Sequence, residues 1–247
     1  MIQNNFLRLF ALAAAFLIVV SADGQQTCNE EVKLLLSPAQ VQAAIPALHA
    51  RGETHGRVYF YDTTALDLLS KGVILRLREG RGTDFTVKLR PLTGEKFVDP
   101  TAGRERYVCE LDLNDGIEVQ SFSVQQKNVS TKTPETGDEV LRLLSEGQKK
   151  LLDNSKVQID WKRVKRVAEI RSTSWTTRAK GPLGKLDLEL WEWPNGSIME
   201  VSTKVAMNAG QATYVELQKL AKRKDLSLSA KQSSKTEIAL RSINAAH

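Results

Sequence analysis

The sequence is poor in the residues that build zinc sites and disulfide frameworks. Its 247 residues include two cysteines, Cys28 and Cys109, and three histidines, His49, His55 and His247. Two cysteines are too few for a zinc site, and the histidines lack the spacing of a metal motif. A zinc centre is therefore excluded as the basis of function.

Internal repeats, long linkers and continuous basic runs are also missing. A chain of this length can bury one sizeable core, and all-β barrels of this size are commonly single domains. The formal net charge is +6, but the bases share strand faces with carboxylates instead of forming one exposed run. We therefore predict one domain that binds no nucleic acid.

The most pronounced apolar run, FALAAAFLIVV, follows Arg8 and is too short for a comfortable membrane span. Val20-Ser21-Ala22 places small residues where a signal peptidase reads them. The pattern predicts a signal peptide over residues 1–22 and a mature domain over residues 23–247. The protein is then secreted or periplasmic, with no stable membrane insertion after cleavage. An uncleaved leader that anchors the protein to a membrane is the alternative.

What the sequence does contain is strict alternation, first seen in VILRLRE and DFTVKLR between residues 73 and 90. In extended strands Arg76 and Arg78 share one face, and Lys88 and Arg90 share the matching face of the next strand. Like charges at this spacing repel unless something anionic lies between them. The pattern favours a surface that holds phosphate, with a solvated polar face as the alternative.

The same alternation recurs in four further segments. Their inward charges are Glu31 and Lys33, then Arg106, Glu110 and Asp112, then Lys185, Asp187 and Glu189, then Glu200 and Lys204. Strands that are apolar outward and charged inward imply a closed sheet with a polar lumen. A less regular strand follows residue 164, with Arg171 as its expected inward cation.

The predicted fold is α+β and mainly β, a closed eight-stranded antiparallel barrel flanked by helices. The strands are expected near 29–36, 57–62, 73–79, 84–90, 105–113, 164–176, 185–193 and 197–205. Helices are expected near 38–50, before Gly72, after a polar connector that follows residue 128, near 212–223 and near 235–245.

These segments resemble the CYTH superfamily, the triphosphate tunnel metalloenzymes. The resemblance rests on EVK in the first strand, YFYDTTALDLLSKGVILRLRE, TVKLR, ELD, LDLE and MEVS, and it spans roughly residues 29 to 240. The family includes thiamine triphosphatases, inorganic triphosphatases and class IV adenylate cyclases. The resemblance implies a tunnel that holds a triphosphate or polyphosphate.

The resemblance also implies roles for individual residues. The catalytic candidates are Lys33, Arg76, Arg78 and Lys88. The substrate-binding candidates are Lys33, Arg76, Arg78, Lys88, Arg90, Arg106, Arg171, Lys185 and Lys204. The metal-side candidates are Glu31, Glu110, Asp112, Asp187, Glu189 and Glu200. For Arg106, Arg171 and Lys185, a solvated charge at the barrel mouth is the alternative.

Mixed acidic and basic faces point to the same chemistry. Arginine forks and lysine ammonium groups suit phosphate oxygens. Carboxylates beside them would repel phosphate unless a cation intervened, which favours Mg²⁺ or Mn²⁺ with oxygen ligands. Two departures from the family pattern weaken this expectation, because Asn29 and Ser202 stand where the family commonly has carboxylates. Glu30 cannot replace Asn29, since a shift of one residue points it out of the lumen.

Three functions remain open at this stage. The first is an exported, metal-dependent phosphoric anhydride hydrolase that acts on inorganic triphosphate or a small organic triphosphate. The second is a non-catalytic phosphate- or polyphosphate-binding protein with a decayed metal site. The third, a nucleotide cyclase, is disfavoured because an exported enzyme lacks a ready supply of ATP.

Cys28 and Cys109 both have the parity of the outward strand faces. An oxidising compartment would permit a disulfide between them. Two small buried residues under covering helices are the alternative, since the sequence does not give the distance between their Cα atoms.

Overall fold

The structure, a computed structural model, describes residues 28–90, 106–129 and 132–246. Its strands form a closed barrel in the order β1-β5-β6-β4-β3-β2-β7-β8-β9, with β9 pairing back to β1. The strands are β1 (Asn29–Leu36), β2 (Arg51–Asp62), β3 (Val73–Glu79), β4 (Thr83–Leu89), β5 (Arg106–Asn114), β6 (Ile117–Lys127), β7 (Lys165–Arg178), β8 (Lys185–Trp193) and β9 (Gly196–Val205).

Helices flank the barrel. They are α1 (Val41–Ala47), α2 (Asp67–Ser70), α3 (Gly137–Leu143), α4 (Glu146–Asn154), α5 (Gly210–Arg223) and α6 (Lys235–Asn244), with short 3-10 helices at Pro38–Gln40 and Gly181–Leu183. The helix expected near 38–50 is thus split into a 3-10 turn and α1, which contains Pro46. The helix expected after the connector is two helices, because Thr136 and Ser145 each begin one with a capping box.

The barrel is confirmed, but the prediction of eight antiparallel strands needs two corrections. β6 is a ninth strand, joined to β5 by a tight turn in which Asp115 and Gly116 have positive φ. The other correction is that β1 and β5 run parallel, with Glu31 opposite Asp112. The sequence signal for β6 is the Asp-Gly pair, which is typical of hairpins. Charge alternation does not reveal this strand, because Ser121 and Ser123 replace charges on its inner face.

The outer faces of the strands are buried under helices, as the alternation predicts. α5 covers β1 through Tyr214 and Leu217. α3 and α4 cover the β4–β6 region through Val140 and Leu151. Within α4, the buried Gln148 side chain donates to the main-chain oxygens of β4 and β6. The apolar outer surface is therefore the main core of the domain.

The inner face is not charged throughout, which corrects the simplest interpretation of the alternation. At one end of the barrel the inward residues are apolar and pack together with Ala239 and Leu240 of α6. Phe60 and Trp191 meet there edge to face, with ring centroids 5.7 Å apart. This apolar plug confines the polar lumen to the other end, where β1 begins and β9 ends.

Arg171 does not face the lumen, so that expectation is wrong. Its neighbour Ser172 donates a hydrogen bond to Glu189 inside the barrel, and adjacent strand residues point to opposite faces. Arg171 is exposed and lies opposite Arg57 on β2 and Glu192 on β8. The parity of β7 is hard to predict because its inward positions carry short polar side chains instead of charges.

Cys28 and Cys109 form a disulfide, with their Cα atoms 4.6 Å apart. The bond joins the residue before β1 to β5 on the outer side, as their parity predicts. The predicted signal peptide lies outside the described residues. Among the helices of the described ranges, none has the length and apolar character needed to cross a membrane.

Candidate functional site

A cavity of about 430 Å³ occupies the polar end of the lumen. Its size is in the range of small-molecule sites. The predicted cations that line it are Lys33, Arg76, Arg78, Lys88 and Lys204. The predicted carboxylates that line it are Glu31, Glu110, Asp187, Glu189 and Glu200. The structure thus brings together most of the residues that the sequence singled out.

Arg76 and Arg78 form the basic wall of the cavity, from alternate positions of β3. The Nε atoms of both are buried and have no hydrogen-bond partner within the described ranges. Arg78 lies 3.6 Å from Glu189, whereas Arg76 forms no ion pair with any carboxylate of the described residues. Burial, assisted by the charge of Arg78, lowers the pKa of Arg76 to about 10. Arg76 is therefore a charged residue of the cavity wall with a donor that no group of the described ranges pairs.

An acidic cluster faces this wall. One carboxylate oxygen each from Glu31, Glu110 and Asp112 lies within 4.8 Å of the others. β1 and β5 supply these residues, and the parallel pairing places Glu31 opposite Asp112 and Asn29 opposite Glu110. Asn29 therefore stands at the position next to the cluster where the family resemblance led us to expect a carboxylate.

Buried cations already neutralise the inner part of the acidic cluster. Lys33 contacts Glu31 at 3.0 Å and Asp112 at 2.5 Å. Lys88 contacts Asp112 at 3.2 Å, and Arg90 donates to the same carboxylate. Burial alone would raise the pKa of Asp112, but these cations hold it well below its ordinary value. Asp112 is thus a fixed anion that orders three basic side chains.

Glu110 is the outer member of the cluster. It accepts from Lys88 at 3.2 Å and from Lys204 at 2.7 Å. Burial alone would raise the pKa of Glu110, but Lys88 and then Lys204 outweigh it and lower the pKa to about 2. Glu110 is therefore ionised at neutral pH and available as an oxygen ligand.

Lys235 of α6 is a lumen residue that the sequence did not identify. Its ammonium lies 2.5 Å from Glu189 and 3.0 Å from Glu200, and 4.5 Å from the ring centroid of Trp191. Lys235 is at the start of the last helix, where a charged residue is ordinarily solvated. Only the tertiary position of α6, which enters the barrel, makes it part of the site.

The remaining candidates lie at the margins. Arg90 borders a cavity of about 60 Å³ at the deep end of the lumen. Lys185 pairs with Asp187 at 2.7 Å, and both are largely exposed at the mouth. The backbone of Arg106 belongs to β5, but its side chain lies outside the described residues. Arg171 faces away from the lumen.

The donor set fits a hard divalent cation. Carboxylate oxygens are the ligands that Mg²⁺ and Mn²⁺ prefer, and Glu31, Glu110 and Asp112 bring three of them together. Two further positions, where the family resemblance led us to expect carboxylates, carry the uncharged side chains of Asn29 and Ser202. The cluster is therefore a sparse oxygen site whose charges are shared with lysines.

Comparison with known proteins identifies the fold. No family model and no curated protein sequence matches the chain. A candidate adenylyl cyclase from Hippeastrum with a dominant triphosphatase activity matches in structure with a TM-score of 0.57 and 20% identity, over 86% of this chain and 94% of that one. A candidate adenylate cyclase from Bacillus halodurans matches with a TM-score of 0.54 and 16% identity, over 85% and 96% respectively. The chain shares its fold with these two proteins, a closed barrel flanked by helices.

Proposed function

We propose that this protein is a metal-dependent triphosphate hydrolase that acts on inorganic triphosphate or a small organic triphosphate. The observation that carries the proposal is Arg76, a half-buried residue that lines the cavity, whose buried Nε has no hydrogen-bond partner and which lacks an ion-pair partner in the described part of the chain. A partly desolvated cation without a counterion is unfavourable. A bound anion would supply the missing charge.

The basic wall supports this proposal through its geometry. Arg76 and Arg78 offer planar forks that bind phosphate oxygens in pairs. Lys88 lies one strand further along the wall and adds a point charge. Charge-assisted hydrogen bonds of this kind contribute about 1.5–3 kcal/mol each. Several such bonds are enough to fix a triphosphate in one orientation along the lumen.

The acidic cluster supports hydrolysis in place of binding alone. Glu31 and Glu110 would hold Mg²⁺ or Mn²⁺, with Asp112 ordering the cations around them. When bound, such an ion supplies charge for phosphate oxygens and a lower pKa for a water molecule. The chain itself orients the phosphates through Arg76 and Arg78. It also keeps Glu110 ionised, because Lys88 and Lys204 lower the pKa of that carboxyl.

One assay tests the proposal. Release of phosphate from tripolyphosphate, thiamine triphosphate and ATP is measured with Mg²⁺, with Mn²⁺ and with EDTA, and ATP is also checked for cyclisation. We expect phosphate release from at least one triphosphate that requires the divalent ion. Binding without release under all conditions would contradict the hydrolase, and a cyclic product from ATP would favour the cyclase.

A phosphate- or polyphosphate-binding protein is the second candidate. It is favoured by the ion pairs of the acidic cluster, since Glu31, Glu110 and Asp112 each contact a lysine. Asn29 and Ser202 favour it as well. A binder needs the basic wall but does not need free carboxylates.

Two substitutions separate the candidates. Asn29→Glu and Ser202→Glu add carboxylates at positions with lumen parity, so they should raise metal affinity and turnover if missing ligands limit the rate. Glu118→Gln, at an exposed position of β6, serves as the control. An increase in metal affinity without any turnover would support the binder.

We also propose that the protein acts outside the cytoplasm. The apolar run before Val20-Ser21-Ala22 and the Cys28–Cys109 disulfide support export, because disulfides persist in oxidising compartments. Sequencing the N-terminus of the protein expressed in its own host tests this. A mature chain that retains residues 1–22 would favour the membrane-anchored alternative.

A further inference from the structure

Lys204 occupies an unusual place among the cations of the lumen. It lies near the end of β9, directly opposite Glu31 on β1, and its ammonium is 2.7 Å from Glu110. It therefore stands beside two of the three carboxylates of the acidic cluster. A divalent cation bound to Glu31 and Glu110 would compete with this ammonium for the carboxylate of Glu110.

The other cations of the cluster cannot easily leave. The side chains of Lys33 and Lys88 are each 13% exposed, and both contact Asp112, which is fully buried. Removing either from its partners would leave charges unpaired in a region of low dielectric. These lysines are therefore permanent parts of the lumen.

Lys204 differs because its side chain is 52% exposed. Water can solvate its ammonium as soon as the ammonium leaves Glu110. Its four-carbon stem is flexible, and ion pairs with an exposed partner are weak. When Lys204 swings out, Glu110 keeps its contact with Lys88 at 3.2 Å. Among the contacts of the cluster, the one between Lys204 and Glu110 is the easiest to break.

We propose that Lys204 is a displaceable internal counterion that competes with a divalent cation for Glu110 and so sets the metal affinity of the site. The inference rests on the proposed divalent cation at Glu31 and Glu110. The measured dissociation constant is the intrinsic one divided by the fraction of molecules in which Lys204 has left Glu110. Metal binding is therefore weaker than Glu31 and Glu110 would give without Lys204.

The test uses Mn²⁺ alone, without any phosphate compound, and follows free Mn²⁺ by electron paramagnetic resonance. Lys204→Met should bind Mn²⁺ about tenfold more tightly than the wild type, because every molecule then presents Glu110 without the competing ammonium. Lys204→Arg keeps the charge and should bind as weakly as the wild type. Lys204→Gln also removes the charge but keeps a polar side chain, so it should bind Mn²⁺ as tightly as Lys204→Met. It serves as the test if Lys204→Met folds poorly.

A matched control separates local competition from net charge. Lys219 is 58% exposed and pairs with Glu216 on α5 at 2.8 Å, outside the lumen. Lys219→Met removes the same charge and should leave Mn²⁺ binding unchanged. A second control is the Glu110→Gln background, in which Lys204→Met should no longer tighten binding.

Three outcomes would overturn the inference. They are unchanged or weaker Mn²⁺ binding in both Lys204→Met and Lys204→Gln, equal tightening in Lys219→Met, or persistence of the effect without Glu110. A failure of the proposed function can be told apart from a failure of this inference. If Lys204→Met tightens Mn²⁺ binding while no variant releases phosphate, the competition stands and the hydrolase does not.

Discussion

Arg76 is the residue whose surroundings most clearly indicate an anionic ligand. We predict that Arg76→Ala weakens binding of tripolyphosphate by about 10- to 100-fold, since one charge-assisted contact of about 1.5–3 kcal/mol is lost. Isothermal titration calorimetry in EDTA measures this without turnover. Arg171→Ala is the control, because Arg171 lies on the outer face of the same barrel. Equal losses in the two variants would show that net charge, not the basic wall, holds the anion.

Glu110 gives a prediction about acid stability. Its pKa in the folded protein is about 2, below the ordinary value of 4.5. Between these values the unfolded chain binds the proton and the folded chain does not, so the stabilising contribution of Glu110 is complete above pH 4.5 and is lost as the pH falls toward 2. We expect the difference in unfolding free energy between the wild type and Glu110→Gln to shrink over that window in urea titrations. If this difference in unfolding free energy stays constant as the pH falls from 4.5 to about 2, the pKa of Glu110 is not lowered in the folded protein.

Side-chain direction is the most predictable property at this scale. Strict alternation predicts that Lys33, Arg76 and Lys88 face the lumen, because strand residues alternate between faces, and all three line the cavity. The parity rule fails for Arg171, where short polar residues occupy the inward positions. The parity rule does not apply to Lys235, because this residue lies on a helix. Strand periodicity does not show where a helix packs.

At the scale of elements, a buried carboxylate connects β1 to α5. Glu30 points outward, as its parity predicts, and accepts hydrogen bonds from the main-chain nitrogens of Asn208 at 2.8 Å and Gly210 at 2.5 Å. These nitrogens belong to the loop before α5 and to its first residue. The carboxylate therefore satisfies the start of the helix and complements its dipole.

We predict that Glu30→Ala lowers the free energy of unfolding by about 1–3 kcal/mol, because buried main-chain donors lose their acceptor. Chemical denaturation measures the change. Glu118→Ala removes an exposed carboxylate of β6 and should change stability by less than about 0.5 kcal/mol. If Glu30→Ala is as stable as the control, Glu30 does not hold α5 to the barrel.

Element types are easier to predict than element pairing. Alternation predicts every strand with a charged inner face, and the last two helices are predicted within a few residues of α5 and α6. The parallel pairing of β1 with β5 has no such signal, because it joins strands far apart in sequence and depends on the insertion of β6. The capping boxes at Thr136 and Ser145 are the signal that divides the connector helix correctly.

At the scale of the whole molecule, the Cys28–Cys109 disulfide closes a loop across a sequence separation of 81 residues. It lies beside the pairing of β1 with β5, which runs only from Asn29 to Val32 on β1. Chain-entropy arguments give a loop of this length about 4–5 kcal/mol of stabilisation. The bond therefore secures a short stretch of pairing in the barrel wall.

We predict that a reductant lowers the unfolding free energy of the wild type by about 4 kcal/mol. A Cys28→Ala, Cys109→Ala double variant should be less stable than the oxidised wild type and insensitive to reductant. Urea denaturation with and without reductant checks both statements. Two free thiols in the unreduced native protein would contradict the bond itself.

The apolar plug has a further consequence for the order in which a long phosphate chain could be processed. Next to the main cavity of about 430 Å³, on the side of Lys235, lies a small cavity of about 60 Å³. The apolar residues around Phe60 and Trp191 lie beyond it. Among the described residues this apolar packing closes the barrel, so a phosphate chain would enter by its terminus and leave backwards through the same mouth. If the hydrolase proposal holds, long polyphosphates should shorten from their ends in single steps, and the departing product should compete with the next substrate for the entrance.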